Sequence, residues 1–169
     1  MRIFLIGMMG SGKTTLGRQL AESLQFSFVD LDEFIQEREK TTIAQLFEQE
    51  GPEKFRELER EALEAVINEY VDAVIATGGG TPCFFDNMSY MNRYGKSVFL
   101  DVPAEEIFKR LSLTDLTARP LLAGKSETEL KDFITTTLEQ RLSFYKQATF
   151  TLGMHGHKIK DLQTLLNIN

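Results

Sequence analysis

The stretch Gly7-Met8-Met9-Gly10-Ser11-Gly12-Lys13-Thr14 fits the pattern G-x-x-x-x-G-K-[ST], and its residue types suit the holding of phosphate oxygens. Glycines let the backbone curl until successive N–H groups converge on an anion, and the start of a following helix adds partial positive charge. Lys13 would reach the β- and γ-phosphates of a nucleotide, and the Thr14 hydroxyl would ligate a magnesium ion. Gly10, Ser11, Gly12, Lys13, Thr14 and Thr15 are therefore the expected nucleotide-binding residues. The apolar run Ile3-Phe4-Leu5-Ile6 precedes the motif, and Leu16, Leu20 and Leu24 follow it at helical spacing. A glycine-rich turn matching by chance would lack that strand–loop–helix frame.

A phosphoryl donor needs an acceptor, and several residues have types that suit one. Asp30 and Asp32 stand two apart where a second strand ends. If the strand reaches Asp32, both carboxylates point to one side. One could serve magnesium through a water, the role expected of Asp30, while the other accepts a proton from a substrate hydroxyl. The alternative is that Asp32 caps a helix beginning at Glu33. Asp101, ending the fourth strand, ranks below Asp30 as a magnesium-associated carboxylate.

Gly78-Gly79-Gly80 ends the third strand, so either a ligand approaches bare backbone there or the chain turns tightly. On a helical wheel Arg141 falls between Leu130 and Ile134, and Arg56 lies near Leu63 and Ile67 on the flank of its helix's apolar face. A guanidinium directed inward needs an anion, either an acidic side chain or a bound carboxylate matched to its fork. Arg119 precedes Pro120 in the longest aperiodic segment, where it either closes over a triphosphate or stays solvated. Cys83 reads as an inert small side chain, and His155 and His157 have no partners at metal-ligand spacing.

Alternating elements must position these groups. Strands are expected over 2–6, 26–30, 73–76, 98–102 and 148–152. Helices are expected over 13–24, 33–39, 42–51, 52–70, 86–94, 104–111, 126–145 and 159–166, with a loop over 112–125. Thr42 with Gln45, and Ser126 with Glu129, read as capping boxes. The helix over 52–70 should turn Phe55, Leu58, Ala62, Val66 and Tyr70 to the core. Strands alternating with helices imply a parallel sheet covered on both faces, with ligands at the carboxyl ends of its strands.

The 169 residues are expected to form a single domain, 1–169, with 42% hydrophobic and 26% charged residues. A net charge of −6 and a pI near 5.0 argue against a nucleic-acid partner, since no basic stripe is present. One cysteine rules out an internal disulfide framework. Met1 runs directly into a strand, and no apolar run has membrane-spanning length, so no signal peptide, no membrane association and a cytoplasmic protein are expected.

Taken together, these motifs resemble the shikimate kinase family, within the nucleoside-monophosphate-kinase-like group of P-loop kinases. The resemblance rests on Gly7–Thr14, Asp30-Leu31-Asp32, Phe55-Arg56, Gly78-Gly79-Gly80, Arg119-Pro120-Leu121-Leu122, and Arg141 followed by Tyr145. It implies a three-layer α/β/α fold, a five-stranded parallel sheet in the order 2-3-1-4-5 and a mobile lid. It also implies ATP-dependent phosphorylation of the 3-hydroxyl of shikimate, in aromatic amino-acid biosynthesis; a monomer is expected, although the sequence leaves the oligomeric state open. By this resemblance Asp32 would bind substrate hydroxyls and act as base, and Arg56 and Arg141 would hold the substrate carboxylate. Gly79, flanked by Gly78 and Gly80, would contact the substrate through its backbone, and Arg119 would descend with the lid onto ATP. Lys13, Thr14 and magnesium would manage the phosphates. The substrate-binding segment would span about 31–60, the lid about 112–125, and the adenine contact would fall around 154–158. Two readings compete. A gluconate kinase also takes a polyhydroxy carboxylate, but Phe55-Arg56 and the glycine triplet favour shikimate. A catalytically silent nucleotide-binding regulator would not need Lys13, Thr14, Asp30, Asp32 and Arg119 together.

Overall fold

Ile3, Phe4, Leu5 and Ile6 are all fully buried, and the alternation of their side chains divides the core between two faces of one sheet. The computed structural model describes residues 1–114, 122, 124–154 and 159–168. Its strands are β1 (Arg2–Ile6), β2 (Ser27–Asp30), β3 (Ala73–Ala76), β4 (Lys96–Asp101) and β5 (Phe150–Gly153). The helices are α1 (Lys13–Leu24), α2 (Leu31–Glu39), α3 (Ile43–Glu69), α4 (Asn87–Tyr94), α5 (Ala104–Ser112), α6 (Glu127–Tyr145) and α7 (Ile159–Leu166). All strand pairs are parallel, in the order β2-β3-β1-β4-β5, as expected.

Phe4 and Ile6 face one way and pack with Ile75 and Phe99 against Ile35, Leu63, Met91 and Ile134 from α2, α3, α4 and α6. Ile3 and Leu5 face the other way, with Val74, Val98 and Leu100, against Leu16 and Leu20 of α1 and Leu162 and Leu166 of α7. Helices on both faces account for the unbroken apolar runs over residues 3–6 of β1 and Ala73–Ala76 of β3.

The boundaries differ from expectation where capping or kinking decides them. The second strand stops at Asp30 and α2 starts at Leu31, so the strand does not carry Asp32. The Asp30 side chain caps α2, accepting from the N–H groups of Asp32 and Glu33; Asp32, inside the first turn, is not the cap. The helices expected over 42–51 and 52–70 are joined in α3 across a kink at Gly51, whose φ of 80° and ψ of 172° suit glycine ahead of Pro52. Both capping boxes are present, Thr42 with Gln45 and Ser126 with Glu129. The buried stripe of α3 is rotated from the expected one: Leu58 and Tyr70 are only partly buried, and Glu59, Leu63 and Ile67 lie fully inside. β4 and β5 are shifted to 96–101 and 150–153, because their ladder pairs Val98 with Phe150 and Asp101 with Gly153.

Candidate active site

The carboxyl ends of β1, β2 and β3 open onto a cleft of about 1080 Å³. Gly7, Gly10 and Gly12 have φ of 143°, 77° and 98°, values that side chains other than glycine rarely adopt. Their turn delivers the chain to the start of α1, whose first turn has no side-chain cap and so presents its N–H groups to the cleft. Lys13 folds back over the loop and donates through Nζ to the carbonyls of Gly7 at 2.9 Å and Met8 at 3.0 Å. Thr14 and Thr15 also line the cleft.

Asp30 does two things with one carboxylate. Oδ1 caps α2, and Oδ2 accepts from the Thr14 hydroxyl at 2.8 Å. Strand β2 and α1 thereby bring two hard oxygen donors together beside the phosphate loop. Asp101 is exposed at the carboxyl end of β4 and is not among the residues lining the cleft, whereas Asp30 is.

Asp32 points from α2 toward the glycine triplet. Burial raises its carboxyl from 3.8 to about 6, with Glu59 and Asp30 pushing the same way and Lys13 and Arg56 opposing them. It is the most perturbed carboxyl among the described residues, and it lies between the phosphate loop and two guanidinium groups.

Arg56 is 13% exposed and pairs with the buried Glu59 at 2.7 Å. Its guanidinium carbon also sits 4.2 Å from the ring centroid of Phe84 and 5.2 Å from that of Phe55. The internal anion expected as one alternative for Arg56 therefore exists, and the same guanidinium still lines the cleft. Arg141 lies one turn from Thr137 and one from Tyr145, both buried, and borders the cleft while half-buried. The ion pairs among the described residues do not include it. Its neighbour is the Tyr145 hydroxyl, which donates to the Gly79 carbonyl at 2.6 Å.

Clearance for these side chains explains the glycine triplet, and none of the three has a positive φ. A Cβ on Gly80 would stand 2.6–2.8 Å from the Arg56 guanidinium, and one on Gly78 2.7 Å from Glu59 Oε1. A Cβ on Gly79 would come within 3.2 Å of Arg141 Nη1.

Two cleft residues escaped sequence reasoning. Glu59 anchors Arg56 and accepts from the Thr81 hydroxyl at 2.5 Å; its signal was a charge in phase with Ala62, Leu63 and Val66 on a buried stripe. Arg110, in the last turn of α5, reaches over the phosphate loop to the carbonyls of Gly10 and Ser11 and pairs with Glu106. No pattern in the sequence separated it from an ordinary basic residue at a helix end. Arg119 and Pro120 lie outside the described residues, as do Leu121, His155, His157 and all of 154–158 except Met154. The Cys83 thiol is pushed up to about 11 by burial, in keeping with an inert side chain.

Comparison with known proteins matches this geometry to a family. The shikimate kinase family model fits residues 9–167. A shikimate kinase of Bacteroides fragilis is 53% identical over 149 residues, covering 88% of this chain and 82% of that protein. The chain belongs to the shikimate kinase family. A crystal structure of the shikimate kinase of Bacteroides thetaiotaomicron has a TM-score of 0.93 at 45% identity, covering 99% of this chain and 98% of the other. A shikimate kinase from Acinetobacter baumannii in complex with shikimate has a TM-score of 0.87 at 32% identity, covering 98% and 93%. Outside the shikimate kinases, a deoxyadenosine kinase of M. mycoides with a TM-score of 0.61 at 13% identity shares the fold alone.

Proposed function

We infer that Asp32 receives the proton of a substrate hydroxyl while Lys13 and the start of α1 hold the phosphates of ATP. The reaction is the ATP-dependent phosphorylation of the 3-hydroxyl of shikimate, giving shikimate 3-phosphate and ADP. The supporting observation is a single cleft that holds Lys13 and Asp32 together with Arg56 and Arg141. A cyclic polyhydroxy carboxylate suits that arrangement. Its carboxylate meets the two guanidinium forks, its ring rests on the bare backbone of Gly78, Gly79 and Gly80, and a hydroxyl faces Asp32. An Asp32 carboxyl near 6 is ionised at neutral pH and is still a better proton acceptor than an ordinary aspartate. Lys13 neutralises charge on the phosphates, and Gly10, Ser11, Gly12, Thr14 and Thr15 surround them.

Magnesium fits the oxygen pair formed by Thr14 and Asp30, which are 2.8 Å apart at the phosphate end of the cleft. Thr14 would ligate the ion and Asp30 would hold it through water; when bound, it offsets phosphate charge. A magnesium ion beside nucleotide phosphates takes most of its ligands from phosphate oxygens and water. Arg119, with the segment 112–125 as a lid, belongs to the same proposal through the family resemblance, as do the substrate segment 31–60 and the single domain 1–169. A monomer belongs to the same proposal. A cytoplasmic location goes with this reading, and no helix among the described residues is long and apolar enough to cross a membrane.

The test is ADP release in a coupled assay with shikimate, run beside gluconate, AMP and CMP. Turnover should depend on shikimate and on magnesium. Turnover with gluconate and none with shikimate would overturn the assignment.

A further inference from the structure

Behind Arg56 and Arg141, on the side away from the phosphate loop, lies a second cavity of about 570 Å³. Its walls are aromatic, formed by Phe47, Phe84, Phe85 and Phe133. The two guanidinium groups border both this cavity and the catalytic cleft, so they form a shared partition. A cavity of this size, lined by rings and bordered by a few convergent charged groups, has the make-up of a small-molecule site.

Two further observations point the same way. Phe85 has a φ of 50°, which is unusual for a bulky side chain, and is 62% exposed, while its neighbour Phe84 is 39% exposed. A backbone strained to hold an aromatic ring in solvent is a feature that binding could use. The charge around the cavity also favours an anion. Arg141 has no ion pair among the described residues, and the Lys125 ammonium stands 5.0 Å from the Phe133 ring centroid. Of the two carboxylates on the rim, Glu57 is paired with Lys54 at 2.9 Å, which leaves Glu53.

We propose that this cavity binds a small aromatic carboxylate, its ring among Phe84, Phe85 and Phe133 and its carboxylate on Arg141 and Arg56. Such a ligand draws the Arg141 guanidinium, which no ion pair among the described residues holds, away from the substrate side of the partition, while Arg56 stays on Glu59. It therefore weakens shikimate binding and leaves the phosphate loop, and with it ATP, untouched. The coupling to turnover rests on the assigned reaction; binding does not.

The probe is 3-phenylpropionate, titrated calorimetrically into the full chain without nucleotide, with 3-phenylpropanol as the partner lacking the carboxylate. Saturable binding of the acid and none of the alcohol is expected. In steady state the acid should raise the apparent KM for shikimate and leave kcat and the KM for ATP unchanged. Phe85→Asn tolerates the left-handed backbone, and Phe133→Leu keeps an apolar side chain, so both should fold. Each should weaken the acid about fivefold or more and leave the shikimate KM within about twofold, as expected for loss of one aromatic contact. Equal binding of acid and alcohol would overturn the proposal. So would absence of binding, or binding undiminished in both variants, the last of which would place the acid in the catalytic cleft. Calorimetric binding in a chain that fails to turn over shikimate would refute the reaction and leave the cavity's assignment standing.

Discussion

At the scale of single residues, Asp32 couples catalysis to stability. Its carboxyl is raised from 3.8 to about 6, so the folded chain binds more protons than the unfolded chain between those values. Stability contributed at this site is therefore full below about pH 4 and falls as pH rises through about 6. The partly exposed position screens the effect to about 1–2 kcal/mol at neutral pH. Asp32→Asn should raise the melting temperature by a few degrees at pH 7 and lower kcat by about 10²–10⁴-fold, as the acceptor is lost. In the wild type kcat/KM should fall as pH drops through about 6. Glu59→Gln, by removing a like charge beside Asp32, should move that limb lower; a pH profile that stays put in this variant would contradict the electrostatics. Gly80→Ala tests the partition geometry. The new methyl would meet the Arg56 guanidinium at 2.6–2.8 Å, and the Glu59 pair and the Phe84 ring restrain that group from yielding. The shikimate KM should rise about tenfold while the KM for ATP holds, readable from initial rates.

Among the elements, the packing of α1 on the sheet sets where the phosphate loop points. Gly17 lies on the buried face of α1, and a Cβ there would stand 2.7 Å from Phe28 Cε2 of β2 and 3.2 Å from Leu5 Cδ1 of β1. Two effects oppose one another in Gly17→Ala. Helix propensity favours alanine by about 1 kcal/mol, and overpacking against a ring costs about 1–3 kcal/mol. Overpacking should win, with a net loss of about 1 kcal/mol in urea denaturation. A more stable variant would mean that Phe28, whose ring also lies 4.6 Å from the Arg18 guanidinium carbon, swings aside at little cost. The kink in α3 acts at the same scale. Gly51 with Pro52 redirects the helix, so that Phe47 from its first part and Arg56 from its second meet at one cleft.

For the whole molecule, ligands that bind only the folded state should add to its stability by mass action. ADP at about a hundred times its Kd contributes about 2.7 kcal/mol, and a melting curve with ADP and shikimate together should exceed either alone. An unchanged melting temperature with ADP would be incompatible with the phosphate loop as the nucleotide site. Much of the architecture was already legible in the chain. The loop from Gly7 to Thr14 is contiguous, and the central strands announce themselves as apolar runs between periodic helices. Local patterns of that kind fix which segments form elements, and their alternation implies parallel strands; the order 2-3-1-4-5 was implied by the family resemblance. The acceptor side was legible only as residue types: Asp32, Arg56, Arg141 and a glycine triplet whose purpose stayed open. Which aspartate capped α2, why Gly80 has no side chain, that Glu59 anchors Arg56 and that Arg110 overhangs the loop were decided by tertiary structure. Each depends on how far a helix is rotated against the sheet, and on contacts between segments distant in sequence, such as Gly80 with Arg56 and Tyr145 with Gly79. Periodicity assigns a side chain to a face, but only close packing decides which side chain on the opposing segment it meets.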